Sequence, residues 1–152
     1  MGTNTRTIQS IYFEALMILH VPTTRITTGT LKGKMVTLPQ HEAVRPTRER
    51  VRQAVFNMLG SRLEWHGMTV VDVCCGSGAW GLEALSRGAA KVWLVDTQVA
   101  SAEANVKALG LANDPRVQVV QADVRTWVPP APVDVVLADP PYGKGLCTQL
   151  LA

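Results

Sequence analysis

Cysteine is scarce in this chain, and what there is lies in the wrong pattern for a structural staple. The three cysteines are Cys74, Cys75 and Cys147. Two are adjacent, and neither a CxxC spacing nor a histidine cluster surrounds them, so no disulfide framework and no metal site is indicated. A reducing, cytoplasmic compartment is the expectation. Charge is also limited, at 18% against 47% hydrophobic residues, which excludes a disordered polyelectrolyte and points to a globular chain. Long apolar runs are missing. Ile11 to Phe13 and Ala15 to Leu19 are split by Glu14, and the stretch is shorter than the ~20 residues that span a bilayer. No small-residue cleavage site follows, so no signal peptide is read and no membrane partner is expected. Met17 stands as an alternative start. A length of 152 residues suits one compact domain with one core.

What charge there is falls unevenly. Residues 1–60 hold eight Lys/Arg against three Asp/Glu, a balance of +5, while residues 61–152 hold seven against nine, a balance of −2. A basic amino-terminal third on a mildly acidic body points to a polyanion contact at one end. Arg25 to Leu38 is rich in Thr and apolar residues with Gly29 and Gly33, and predicts one or two short strands with a turn. Arg45-Pro46-Thr47 opens a helix with Thr47 as N-cap. Val51, Ala54, Val55, Met58 and Leu59 form an apolar stripe along it, with Arg48 and Arg52 on another face.

From Met68 the pattern becomes strand, glycine turn, helix, repeated. Strands are expected over Thr69–Cys75, Lys91–Asp96, Val117–Ala122 and Val133–Ala138. A turn and helix over Gly76–Arg87 stop at Gly88, and a helix marked by Val99, Ala102, Val106 and Leu109 stops at Gly110. The alternation implies a parallel sheet with helices on its faces, and no other internal repeat is present. The expected organisation is an extension of uncertain role over 1–22, a basic strand-and-helix extension over 23–66 and a Rossmann-like core over 67–152.

The first core strand runs into Asp72-Val73-Cys74-Cys75-Gly76-Ser77-Gly78-Ala79-Trp80-Gly81. Gly76 and Gly78 allow a tight turn and close approach to a ligand, and the following helix offers unpaired amides. Formally this is GxGxxG, so a dinucleotide oxidoreductase stays open beside a methyltransferase. Asp72, near the end of the strand, can meet a cationic amine, which S-adenosylmethionine has and a pyrophosphate lacks. Asp96 ends the second core strand twenty residues after Gly76 and can accept both ribose hydroxyls of either cofactor. Asp123, after the third, can accept from an adenine amine. The candidate cofactor set is therefore Asp72, Gly76, Ser77, Gly78, Asp96 and Asp123. Cys74, Cys75 and Trp80 read as packing residues.

Asp139-Pro140-Pro141-Tyr142 follows the fourth core strand. Two prolines fix φ and remove two amide donors, leaving carbonyls to face a ligand. Asp139 adds a carboxylate, and Tyr142 a ring on which a planar base can stack. Together they offer acceptors for both hydrogens of an exocyclic amine, so its nitrogen can be aimed at a sulfonium methyl group. Position and desolvation would do the work, with no metal required.

Taken together, these residues resemble the bacterial 16S ribosomal RNA guanine-N2 methyltransferases of the RsmD type. The resemblance runs from about Arg25 to the last residue. It rests on Arg25-Ile26-Thr27-Thr28-Gly29, Leu31-Lys32-Gly33-Lys34, Arg45-Pro46-Thr47, Arg50-Val51-Arg52, Ala54-Val55-Phe56-Asn57, Gly76-Ser77-Gly78, Gly81 to Ala89, and Asp139 to Tyr142. Cys74-Cys75 stand where that family usually has Phe-Ala, and Asp96 where Glu is common. The resemblance implies a Rossmann-like methyltransferase fold with a small amino-terminal extension. It implies cofactor at Gly76, Gly78 and Asp96, guanine at Asp139 to Tyr142, and RNA at Lys32, Lys34, Arg45, Arg48 and Arg52. The implied partner is ribosomal RNA or the small ribosomal subunit. Family members continue through further strands, including an antiparallel hairpin, so a truncated chain is expected. The alternatives are a DNA adenine or cytosine amino-methyltransferase, which shares the Asp-Pro-Pro-Tyr turn, and a non-catalytic remnant that binds RNA.

Overall fold

The computed structural model describes residues 22–39 and 46–139. Pro140, Pro141, Tyr142 and Arg45, and the apolar stretch before Val21, lie outside the described residues, as do the side chains of Pro46 and Thr47. In the described part, β1 (Thr23–Arg25) and β2 (Met35–Thr37) form an antiparallel hairpin, followed by α1 (Pro46–Gly60). Then come β3 (Thr69–Val73), α2 (Ala79–Ser86), β4 (Lys91–Asp96), α3 (Ala100–Ala108), β5 (Val117–Gln121) and β6 (Val135–Ala138). Among the described residues no helix is long and apolar enough to cross a membrane.

The four core strands are parallel, in the order β5-β4-β3-β6. The inner pair, β3 and β4, is almost wholly buried on both faces, as a covered parallel sheet requires. The chain steps from β3 to β4 to β5 in one direction, so its two right-handed crossovers place α2 and α3 on the same face. There Leu82, Leu85, Ala102 and Val106 join Val70, Val92, Leu94 and Phe56 in the main core. Val71, Val73, Trp93 and Val95 form a smaller core on the other face, covered by Val120, Val124, Trp127 and Val133. After β5 the chain returns to the far side of β3 to lay down β6. The strand order therefore reverses between β3 and β6, and ligands in open α/β sheets bind at the carboxyl ends of the strands flanking such a reversal.

The hairpin is pressed onto the end of α2. Gly29 has φ 92°, and a Cβ there would stand 1.8 Å from the Ser86 carbonyl oxygen, so the position admits glycine alone. The Thr30 amide donates to that carbonyl at 2.8 Å, the Leu31 amide to Ser86 Oγ at 2.9 Å, and Ser86 Oγ to the Thr28 carbonyl at 2.5 Å.

The expected apolar stripe of α1 is not its buried face. Val51 and Met58 are 52% and 55% exposed, whereas Arg52 and Phe56 are buried. Phe56 packs against Trp65 and Trp80, with ring centroids 5.1 and 5.7 Å away. Arg52, expected on the RNA surface, is only 4% exposed and points inward. Its Nη2 donates to Thr24 Oγ1 at 3.1 Å and to the Arg25 carbonyl at 2.7 Å, and its Nε lies 3.8 Å from Glu83. Burial pulls the Arg52 guanidinium below its ordinary value, and Glu83 and Glu49 oppose that pull. This correction has a simple cause: an arginine enters a core when a carboxylate waits there. Glu83, fully buried on α2, also accepts from the Thr27 amide at 3.0 Å, from Thr27 Oγ1, and from Arg87 in an ion pair at 3.4 Å.

Candidate functional site

The glycine turn begins where β3 ends. Cys74, Gly76 and Gly78 have φ of 56°, 53° and 82°, so three of five successive residues are left-handed. The turn is held from several sides. Gly76 N–H donates to Asp96 Oδ2 at 2.9 Å, and Gly78 N–H to the Cys75 carbonyl at 2.8 Å. The Cys75 amide donates to the Val95 carbonyl at 3.1 Å, which ties the turn to β4. Gly81 lets α2 lie close against the sheet, since a Cβ there would come within 2.3 Å of Leu94 Cδ2.

The structure distributes the expected cofactor residues unequally. Asp96 is half-buried at the end of β4, its carboxylate turned to the glycine loop, with Oδ1 accepting from the Gln98 amide at 3.3 Å. Asp72 was expected to offer its carboxylate to a ligand amine; instead it is 2% exposed, and its Oδ2 accepts from the Gly81 amide at 2.8 Å. It lies beneath the turn because odd and even residues of β3 face opposite sides, and this side is covered by α2. Burial raises its carboxyl to about 7, with repulsion from Asp139 and Asp96 adding to the shift and the Gly81 hydrogen bond opposing it. Ser77 is also buried, and its Oγ accepts from the Ala79 amide at 3.4 Å at the start of α2. Asp123 is held by Arg125, whose Nε and Nη2 donate to its two oxygens at 2.9 and 2.5 Å, and this pairing draws its carboxyl down to about 2. Cys75 is buried, and burial pushes its thiol up, as suits a packing residue rather than a nucleophile. Cys74, Gly76 and Asp96 are half-buried, the partly accessible residues of the turn and of the strand end beside it.

Asp139 stands immediately after β6 and is exposed. Because β6 pairs with β3 in the register Val73↔Ala138, Asp139 emerges beside the start of the glycine turn, near enough to Asp72 for their charges to interact. The site thus has two neighbouring halves at one sheet edge. Lys32, Lys34 and Arg48 are exposed on the hairpin turn and on α1, in contrast to Arg52. Among the described residues, no group of three or more His, Cys, Asp or Glu side chains is placed to hold a metal ion.

One further buried polar residue belongs to this region, and no local sequence pattern gives it a role. Asn105 on α3 donates from Nδ2 to the Ser77 carbonyl at 3.0 Å and to the Thr37 carbonyl at 2.8 Å. Its Oδ1 accepts from the Thr37 amide at 2.9 Å. A polar side chain between Ala102 and Val106 on the inward side of α3 was the available signal.

A parallel sheet reversing between β3 and β6, a glycine turn after β3 and a carboxylate closing β4 define the Rossmann-like fold of the S-adenosylmethionine-dependent methyltransferases. The Escherichia coli protein yhhF shares it at TM-score 0.70 and 31% identity, over 85% of this chain and 71% of that one. A hypothetical protein of Thermus thermophilus does so at TM-score 0.69 and 32% identity, over 84% and 77%. The chain belongs to the family described as conserved hypothetical protein 95, the RsmD family, which matches residues 24–152. Ribosomal RNA small subunit methyltransferase D of Escherichia coli K12 is 32% identical over 134 residues, 84% of this chain. This chain spans 64% of that relative's length, under two thirds.

Proposed function

We propose that the chain takes part in S-adenosylmethionine-dependent methylation of the exocyclic N2 amine of a guanine in 16S ribosomal RNA. The observation that carries this reading is the β3–β6 register, which sets the glycine turn and Asp139 side by side at the strand reversal. The similarity to a ribosomal RNA small subunit methyltransferase supports the substrate class.

The residues present fit the cofactor. Gly76 and Gly78 keep the turn free of side chains, and half-buried Asp96 offers a carboxylate for ribose hydroxyls at its edge. Asp123 sits in the turn just after β5, where an adenine amine would compete with Arg125 for its oxygens. Asp72 and Ser77 act from beneath, by fixing the start of α2. The cofactor supplies a methyl group made electrophilic by a positively charged sulfur. Asp139 would accept a hydrogen bond from one amine N–H and so orient the nitrogen lone pair, while the carbonyls of Pro140 and Pro141 would serve the other N–H and Tyr142 would stack on the base. No strong base would be needed, because the amine proton would pass to solvent only after nitrogen has acquired positive charge. Lys32, Lys34, Arg45 and Arg48 meet the RNA phosphates.

The test is transfer of tritiated methyl to ribosomal RNA, small subunits and DNA, with calorimetry of S-adenosylmethionine against NAD. Label on RNA or subunits is expected, and Asp139→Ala should abolish it with cofactor affinity kept within about twofold. Label on DNA alone, or preferential binding of NAD, would overturn the reading.

A further inference from the structure

We propose that Asn105 is a positioning residue that couples cofactor occupancy of the glycine turn to RNA binding by the amino-terminal extension, an inference that rests on the function proposed above. Three features carry it. First, Asn105 is 3% exposed, and both N–H bonds and the oxygen of its side-chain amide are engaged, on two segments forty residues apart in sequence, Thr37 and Ser77.

Second, the Ser77 carbonyl and the Gly78 N–H belong to one planar peptide unit. That plane is flanked by Ser77 and by left-handed Gly78, and on the glycine side backbone rotation is least restrained. Asn105 Nδ2 fixes its carbonyl side, and the Cys75 carbonyl fixes its N–H side at 2.8 Å. The orientation of the turn's central peptide thus depends on Asn105. Third, both backbone groups of Thr37 are taken by the same amide, at the last residue of β2. Leu38 then donates to the Pro22 carbonyl at 2.8 Å, and α1 with exposed Arg48 begins at Pro46. The outgoing end of the basic hairpin and the central peptide of the cofactor turn therefore share one amide. A ligand that holds the turn also holds the outgoing end of the hairpin that carries exposed Lys32 and Lys34.

Such coupling is reciprocal: each ligand raises the affinity for the other by the same factor, typically 5- to 150-fold. The full chain is titrated with small-subunit ribosomal RNA, with and without S-adenosylhomocysteine, which occupies the turn without transferring methyl. RNA affinity is expected to rise at least about fivefold with the nucleoside present. Asn105→Asp keeps the shape and the acceptor for Thr37 N–H but turns an acceptor on two carbonyls. In it the factor should fall to within about twofold of unity, measured at nucleoside concentrations that saturate the variant. A wild-type factor of one, or a factor unchanged in Asn105→Asp, overturns the inference while leaving the proposed function intact. Failure of the wild-type chain to bind nucleoside or RNA removes both. If Asn105→Asp does not fold, hydrogen exchange in the unaltered protein decides. The Thr37 amide should exchange at least about fivefold more slowly with S-adenosylhomocysteine bound, and an unchanged rate rejects the coupling.

Discussion

Asp72 shows how little of a residue's role its type reveals. A carboxyl buried under α2 and raised to about 7 holds a proton through much of the acid range. Between the ordinary aspartate value and about 7 the unfolded chain has released that proton and the folded chain has not. Stability from this group is therefore complete at low pH and declines as pH rises through the window. Asp72→Asn retains an oxygen for the Gly81 amide and does not titrate. Its stability relative to wild type, from urea unfolding without ligand, should improve by about 2 kcal/mol or more between roughly pH 4 and pH 8. A difference that stays constant with pH would mean that Asp72 titrates normally.

At the scale of elements, the hairpin, α1 and α2 are joined by one buried polar chain. It runs from Glu49 through Thr24 and Arg52 to Glu83, then to Thr27 and Arg87. Truncating one member strands its partners without water. Glu83→Ala should cost about 3–5 kcal/mol in denaturant unfolding. Arg52→Met combined with Glu83→Leu should cost clearly less than the sum of the single changes. Strict additivity would mean that the pair does not interact. This chain of contacts also explains what could be read beforehand. β4 was legible residue for residue as Lys91–Asp96, because continuous apolar runs mark covered strands. The other core strands were read one or two residues too long at an end, where only backbone pairing marks the limit. The α1 stripe was misread because periodicity counts Arg52 as polar, and its partner Glu83 lies thirty-one residues away on another helix. The sequence assigns no role to Glu83, Ser86 or Asn105 for the same reason: they bond to atoms of distant segments, which no local pattern records.

For the whole molecule, the uneven charge becomes a division of labour. The exposed cations of the hairpin turn and α1 stand on a body of opposite balance, whereas Arg52 is consumed inside. Replacing Lys32, Lys34 and Arg48 together with Ala should lower RNA affinity and flatten the plot of log affinity against log salt by roughly 2 units. Substituting Arg52 should change stability instead. An unaltered slope in the triple variant would take those three side chains off the RNA surface.

The sheet also divides the four tryptophans evenly. Trp65 and Trp80 belong to the side carrying the helices, and Trp93 and Trp127, 6.4 Å apart, to the side closed by a loop. Replacing either pair with phenylalanine leaves a molecule whose tryptophan emission comes from one flank only. The protein thus carries two built-in optical gauges, able to tell whether its halves come apart in a single event or one after the other.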